Sequence, residues 1–161
     1  MAMFAARVTA MSTDSSSLAN PFAQSKLAVA VDRGVDAHAR FVADARGLYA
    51  PNVEWAAPAR GLLCVGREDV IRHLLREAGG MCDPEFTALR RHRKAEQIID
   101  EFAVRFIYSG DGLDAAPIAR NDFVELKRVR VMELRDQLCF RETCIEAWTV
   151  LLPAAGGQGP K

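Results

Sequence analysis

The sequence lacks any apolar run of the roughly 18 residues that a membrane-spanning helix requires. It also lacks net charge, because its 161 residues include 21 Lys plus Arg and 21 Asp plus Glu. Nucleic-acid-binding domains usually carry a clear basic excess. The apolar stretch within Met1–Ser12 is too short and broken for a secretory signal. We therefore expect a cytoplasmic protein whose partners are neither membranes nor nucleic acids.

Cysteine and histidine are scarce, with four and three residues respectively. No two cysteines have the two-residue spacing of a zinc knuckle or a thioredoxin-like site. The spacing predicts no metal site, no cofactor is expected, and in a reducing compartment the thiols are interpreted as small buried side chains. The cysteines are Cys64, Cys82, Cys139 and Cys144.

Length and turn residues predict one folded domain over 20–151, with a mobile leader over 1–19 and a disordered tail over 152–161. Apolar residues at helical spacing and capping residues predict three helices within that domain. The predicted helices run from Asn20-Pro21 to Gly34, from Asp36 to Pro51, and from Gly66 to Gly79-Gly80. Their predicted buried residues are Phe41, Ala45, Leu48 and Tyr49 in the second, and Val70, Ile71, Leu74, Leu75 and Ala78 in the third.

The rest of the chain is typical of strands, since long segments rich in Val, Ile, Phe and Arg alternate with turns. A short strand over 52–57 precedes the third helix, and the long ones cover 85–95, 97–109, 122–135 and 138–151. Helices followed by an antiparallel meander predict an α+β fold. Strands this long must coil, so we expect a curved antiparallel sheet that wraps around the helices as a cone and encloses a pocket.

The segment "LYAPNVEWAAPARGLLCVGREDVIRHLL" resembles the SnoaL-like branch of the nuclear-transport-factor-two-like superfamily. The ending "ELKRVRVMELRDQLCFRETCIEAW" is similar to the final hairpin of the same group, and the resemblance covers roughly residues 20 to 151. It implies the cone fold, but this fold hosts isomerases, dehydratases, cyclases, epoxide hydrolases and non-enzymatic binding proteins. The residues that match the first motif are Leu48, Tyr49, Val53, Trp55, Pro58, Gly66, Arg67, Ile71 and Arg72.

Several positions at which the family keeps catalytic groups hold other residues in this chain. Ketosteroid-isomerase-like members place an acidic base just before the proline of the first strand, where this chain has Ala56 and Ala57. Epoxide-hydrolase-like members have Arg-x-Asp and a further Asp on the last two strands. Arg128 and Arg130, then Thr143, fill those positions here. Cyclases of the SnoaL type often have His and Asp on the last strand, and those positions hold Arg141 and Thr143.

The register of that resemblance points Arg128, Arg130 and Arg141 into the cone. Buried guanidiniums must be paired, and a planar fork suits a carboxylate, phosphate or enolate ligand. One hypothesis is therefore an anion clamp made by the three arginines and Thr143. The alternative is that they pair with neighbouring glutamates or face solvent, because a shift of one residue reverses every side chain.

Glu142 and Glu146 share an alternation with Phe140, Cys144 and Trp148. If hydrophobicity marks the inner face, both carboxylates enter the pocket, where a raised pKa would suit a general base. If the family register holds, this face is the convex one and its apolar residues form a dimer surface. We favour the second alternative, while Glu146, near the mouth end of the strand, is the leading catalytic candidate.

Other candidates have plainer interpretations. Tyr49 and Trp55 flank the predicted pocket, and large aromatic residues are by default core residues. His73 is expected at the flank of its helix, His38 early on another, and His92 in a solvated basic run.

The sequence thus predicts a small-molecule-binding protein that forms a homodimer through the convex face of its sheet. It could be a lyase, isomerase or hydrolase acting on a hydrophobic substrate with an anionic or carbonyl group. The alternatives are a non-catalytic binder of an anionic metabolite and a protein-interaction module.

Overall fold

The computed structural model describes residues 35–154, with side chains from His38 onward. The predicted leader, the predicted helix from Asn20-Pro21 to Gly34 and residues 155–161 lie outside the described residues. The elements are α1 (Val35–Leu48), β1 (Tyr49–Ala57), a 3-10 turn (Pro58–Arg60), β2 (Leu62–Val65), α2 (Arg67–Gly79), β3 (Met81–Lys94), β4 (Gln97–Tyr108), β5 (Phe123–Arg135) and β6 (Leu138–Leu152).

The six strands form one open sheet in the order β2-β1-β6-β5-β4-β3. The prediction of an α+β cone is confirmed. The expected antiparallel pairing is wrong at one place, since β1 pairs with β6 in parallel. A hairpin turn forces its two strands to be antiparallel. β1 and β6 are joined instead through the rest of the chain, so no turn constrains their relative direction.

The helix α1 buries the predicted residues Phe41, Ala45 and Leu48. It ends at Leu48 rather than at Pro51, which lies within β1. The pairing of β1 with β6 changes register between Tyr49 and Glu54. A proline, which donates no backbone hydrogen bond, is tolerated in a strand where the ladder is interrupted.

The helix α2 follows Gly66, as predicted, and it has acidic residues in its first turn. Its predicted residues Val70, Ile71, Leu74 and Ala78 are buried, and Leu75 is half-buried. The structure adds two polar side chains to the buried face of this helix. They are His73 and Glu77, and both approach the interior of the cone.

The long strands lie close to their predicted positions, and the hairpin at Asp136-Gln137 is present. Both turn residues have positive φ, 52° and 66°, as a tight two-residue turn requires. The four-residue strand β2 is missing from the sequence prediction, because Pro58 and Gly61 obscured it. β3 begins at Met81, four residues early, because a register shift near Pro84 lets the strand pass through that proline.

The face of the sheet that α1 and α2 cover, here called the concave face, holds two apolar clusters with a polar band between them. Along β5, Met132 and Leu134 belong to the first cluster, and Val124 and Leu126 belong to the second. The residues between them on the same face are Arg128 and Arg130. The helices among the described residues are all too short or too polar to cross a membrane.

Candidate ligand-binding site

Cross-strand pairing decides which charged side chains face the interior. Arg128 lies opposite Glu146, and Arg130 lies opposite Cys144. The two arginines therefore share the concave face with Glu146 and Glu142. From the sequence, the arginines and the glutamates are alternative occupants of the interior, with the convex face favoured for the glutamates. That expectation is wrong, because the residues are cross-strand neighbours whose opposite charges neutralise each other.

Four charged side chains form what we call the ion cluster, namely Arg60, Glu77, Arg128 and Glu146. Arg128 donates to Glu146 Oε1 at 2.6 Å and to Glu77 Oε2 at 3.0 Å. Arg60 donates from Nε to Glu146 Oε2 at 2.8 Å and from Nη2 to Glu77. The exposed fraction of each side chain is between 0 and 3%. Each carboxylate is thus held by two guanidiniums.

Arg60 is the member of the cluster that the sequence analysis missed. It sits on the 3-10 turn after Pro58, where the left-handed residue Gly61 redirects the chain. Its Nη1 also donates to the backbone oxygen of Asp114 at 3.1 Å, which ties the cluster to the loop before β5. Arg60 belongs to no alternating pattern, so the sequence carried no signal for its burial.

The ion cluster balances two positive charges against two negative ones. Burial by itself would raise the pKa of the Glu77 carboxyl. Arg128, His73 and Arg60 outweigh burial and hold this pKa well below its ordinary value. Burial by itself would lower the pKa of Arg128, but the nearby charges of Glu77 and Glu146, with the hydrogen bond to Glu77, together raise it. Glu77 and Arg128 are therefore both charged at neutral pH.

A second buried group joins Arg130, Glu142 and Tyr49. Arg130 donates to both oxygens of Glu142, at 2.8 and 3.1 Å, and the Tyr49 hydroxyl donates to Glu142 Oε2 at 2.7 Å. Burial, followed by the Glu142 charge, raises the pKa of Tyr49 well above its ordinary value. Burial likewise raises the pKa of the Cys144 thiol. Both groups stay protonated at neutral pH, so neither supplies an anionic nucleophile.

Four buried nitrogens in this region have no hydrogen-bond partner among the described residues: Trp55 Nε1, His73 Nε2, Arg128 Nε and Trp148 Nε1. His73 Nε2 lies 3.4 Å from Glu77 Oε1, and its ring packs on Trp55 at 4.3 Å between centroids. The Arg60 guanidinium lies 5.7 Å from the centre of the Trp148 ring. Unpaired buried donors cost about 1–3 kcal/mol each, so such a site favours an added acceptor.

An aromatic strip lies beside these donors. Phe86, Phe102 and Trp148 are only half-buried on the concave face. Phe102 lies opposite Arg128, and Phe86 lies 6.5 Å from Phe102 between ring centroids. The aromatic rings and the unpaired donors occupy neighbouring positions on the same face of the sheet. An apolar molecule lying on the rings would therefore have hydrogen-bond donors beside it.

Arg141 and Thr143 do not reach the interior. The Arg141 side chain is 49% exposed and pairs with Glu54 and Glu133 on the convex face, the opposite face of the sheet. Thr143 lies on that face too, between Ala56 and Val131. Both were expected in the pocket, and that expectation is wrong, because beyond the bulge at Phe140 the odd-numbered residues of β6 point away from Arg128.

The predicted dimer surface of Phe140, Cys144 and Trp148 is also wrong. Cys144 is 1% exposed and packs in the core, and Trp148 packs against the second apolar cluster. Only Phe140 faces outward, because a register shift after Glu133 inserts it as an extra residue on β6. Such a bulge reverses the alternation, which a sequence pattern does not reveal.

The aromatic and histidine residues that the sequence singled out differ in how deeply they are buried. Tyr49 and Trp55 are fully buried core residues. His73 is buried rather than at the flank of its helix, whereas His38 and His92 are exposed. Within residues 35–154 no group of three metal-ligating side chains comes together. The interior is therefore equipped to donate hydrogen bonds and to contact apolar surface.

Comparisons with protein-family models and with curated proteins find no match for this chain. Solved structures share its fold. A protein assigned as a SnoaL-like polyketide cyclase from Jannaschia sp. CCS1 has a TM-score of 0.60 at 12% identity, over 78% of this chain and 79% of that one.

Two further solved structures share the fold of this chain. A hypothetical protein with a ketosteroid-isomerase-like fold from Catenulispora acidiphila DSM 44928, in complex with trimethylamine, has a TM-score of 0.53 at 14% identity, covering 75% and 81%. An uncharacterised cystatin-like protein from Silicibacter pomeroyi DSS-3 has 0.52 at 16%, covering 78% and 72%. The SnoaL-like fold that the sequence motifs predicted is confirmed.

Proposed function

We propose that this protein binds a small hydrophobic molecule on the concave face of its sheet. The apolar part of the ligand lies on Phe86 and Phe102, and a carbonyl or carboxylate oxygen accepts from Trp148 Nε1 and Arg128 Nε. The observation that carries the proposal is the combination of half-exposed aromatic rings with unpaired buried donors on adjacent rows of one sheet. Binding sites of this kind are mostly apolar, with a few placed polar groups.

Binding without turnover fits the geometry better than catalysis by Glu146. A general base needs a lone pair that is free to take a proton. The Glu146 carboxylate instead accepts from Arg60 Nε, Arg60 Nη2 and Arg128 Nη2 at 2.6 to 3.0 Å. Its charge is balanced within the cluster, so these four side chains leave no excess positive charge that would require an anionic ligand.

A second candidate is a proton-transferring enzyme of the lyase, isomerase or hydrolase class that acts on the same kind of ligand. The observation that favours it is His73, a buried imidazole whose Nε2 lies near Glu77 without an aligned hydrogen bond. Histidine is the commonest general base in proteins, and this one lies beside a carboxylate. His73 rather than Glu146 would then move the proton.

Native mass spectrometry of the purified protein, compared with its denatured mass, tests the binding proposal. We expect a bound small molecule, and we expect Phe102→Ala to lower its occupancy at least about tenfold, because a buried aromatic contact is worth a few kcal/mol. The matched control is Phe140→Ala, the same change on the opposite face, which leaves occupancy unchanged. A ligand lost equally from both variants contradicts the concave site.

The released molecule also separates the two candidates. A binder returns the compound unchanged after incubation with fresh protein. An enzyme converts it, and His73→Gln then retains the ligand but loses conversion. Recovery of an identical conversion rate from His73→Gln excludes the histidine mechanism.

We further propose a homodimer through the convex face, in the cytoplasm, where cysteine thiols stay reduced. Leu63, Val65 and Ile145 are 54–65% exposed there. Ala56 of β1 pairs with Leu63 on one side and with Thr143 on the other. Leu63 and Val65 of β2 therefore lie on the same face of the sheet as Thr143 and Ile145 of β6. Exposed apolar patches of this kind mark interaction sites.

Ile145→Lys is expected to convert the dimer to a monomer, because it places a charge in the centre of that surface. Size-exclusion chromatography with light scattering measures the mass. The matched control is Leu89→Lys, a similarly exposed position on β3 at the far edge of the sheet. A wild-type monomer, or a dimer that survives Ile145→Lys, contradicts this interface.

A further inference from the structure

The convex face carries a groove that is separate from the concave site. It has a volume of about 260 Å³ and lies beside the turn that joins β5 to β6. Strand β1 supplies one wall, and the hairpin supplies the other. The lining residues are Ala50, Asn52, Glu54, Arg135, Asp136, Leu138, Phe140 and Arg141.

Phe140 provides the aromatic surface of the groove. The Arg135 guanidinium lies 4.6 Å from the centre of the Phe140 ring, and that of Arg141 lies 5.8 Å from it. The bulge on β6 turns Phe140 outward, whereas strict alternation with Glu142 would have buried it. The groove thus owes its aromatic side chain to a local irregularity of the strand.

The charges of the groove divide into a paired set and an unpaired set. Arg141 lies 3.4 Å from Glu54 and 3.7 Å from Glu133, so its charge is balanced. Arg135 and Asp136 are adjacent in the chain and line the same groove, yet neither has an ion-pair partner within 4.0 Å among the described residues. A guanidinium that stacks on the half-buried Phe140 ring and an adjacent carboxylate are therefore both without an ion-pair partner among the described residues.

We propose that this groove binds a zwitterionic α-amino acid with an aromatic or large apolar side chain. The ligand carboxylate pairs with the planar fork of Arg135, and its ammonium group pairs with Asp136. The ligand side chain packs on Phe140. A ligand with only one charge would leave either Arg135 or Asp136 uncompensated, so the groove distinguishes the zwitterion from simple acids and amines.

Isothermal titration and amide chemical shifts of the Asn52 side chain test this proposal with three probes. They are L-phenylalanine, 3-phenylpropanoate, which lacks the ammonium, and phenethylamine, which lacks the carboxylate. We expect saturable binding of L-phenylalanine, about two- to fivefold tighter than that of either single-charge analogue, because an exposed ion pair contributes up to about 1 kcal/mol.

Two variants remove the charges without altering the backbone. Asp136→Asn suits the left-handed conformation of this turn residue, whose φ is 52°. Arg135→Gln keeps a polar side chain at an exposed position. Each is expected to weaken L-phenylalanine binding about two- to fivefold and to abolish the preference over one analogue. Lys127→Gln, an exposed lysine outside the groove, is the control and leaves binding unchanged.

Several results overturn the proposal: no saturable shift of Asn52 with L-phenylalanine, equal affinity for all three probes, or unchanged affinity in both charge variants. Phe102→Ala separates this site from the concave one. It should leave L-phenylalanine binding intact, so loss of binding in that variant would place the amino acid on the concave face instead.

Discussion

Glu77→Gln is expected to lower the free energy of unfolding by about 3–5 kcal/mol, the usual cost of removing one partner from a buried ion pair. Glu77 is the carboxylate that joins α2 to both Arg60 and Arg128. Without it, two buried guanidiniums share the single negative charge of Glu146. Urea denaturation followed by circular dichroism measures the change, with the slope checked for two-state behaviour.

The matched control is Glu125→Gln, which removes the same charge from a surface pair. Glu125 bonds Arg105 at 2.7 Å, but the Arg105 side chain is 54% exposed. Exposed pairs contribute about 0–1 kcal/mol, so this variant should stay close to wild type. Similar losses for both variants would show that burial of the ion cluster contributes no special stability.

Acid titration gives a second readout of the same contact. An ordinary glutamate has a pKa near 4.3. The folded-state pKa of Glu77 lies below that value. Its contribution is therefore present above pH of about 4 and is lost as the pH falls through the folded pKa. Glu77→Gln should accordingly lose less stability than wild type when the pH is lowered below 4.

Gly112→Ala is expected to destabilise the protein by at least about 2 kcal/mol, because two independent penalties add. Gly112 has φ of +86°, where side chains are rarely found, and an added Cβ would lie 2.1 Å from the backbone oxygen of Arg76. The loop would have to leave the end of α2, where Leu113 packs into the second apolar cluster. Thermal denaturation and hydrogen exchange of the loop amides measure the effect.

Gly47→Ala is the control for this change. Gly47 lies in α1, and an added Cβ meets no atom within 4 Å. Alanine is favoured over glycine in a helix by about 0.5–1 kcal/mol, so this variant should be slightly more stable. A tolerated Gly112→Ala would mean that the loop is not held in this close approach.

The sequence by itself determined the fold class, α2 and the long strands. The apolar spacing of Val70, Ile71 and Leu74 and the turn at Asp136-Gln137 depend on neighbours in the chain, which a sequence displays directly. The motif around Tyr49, Val53 and Trp55 likewise led to the SnoaL-like fold. All three of these motif residues are buried in the core. A local sequence pattern therefore indicates which residues are buried more readily than which residues carry out chemistry.

The tertiary structure alone decided the composition of the two sites. Arg60, Glu77, Arg128 and Glu146 come from four separate elements, and their mutual neutralisation exists only after the strands have paired. The outward position of Phe140 depends on a bulge of one residue, which reverses the face of a strand while leaving its composition unchanged. Cross-strand register and bulges are long-range properties of the sheet, and for that reason the sequence predicted the cone correctly and placed Arg141, Thr143 and both glutamates on the wrong faces.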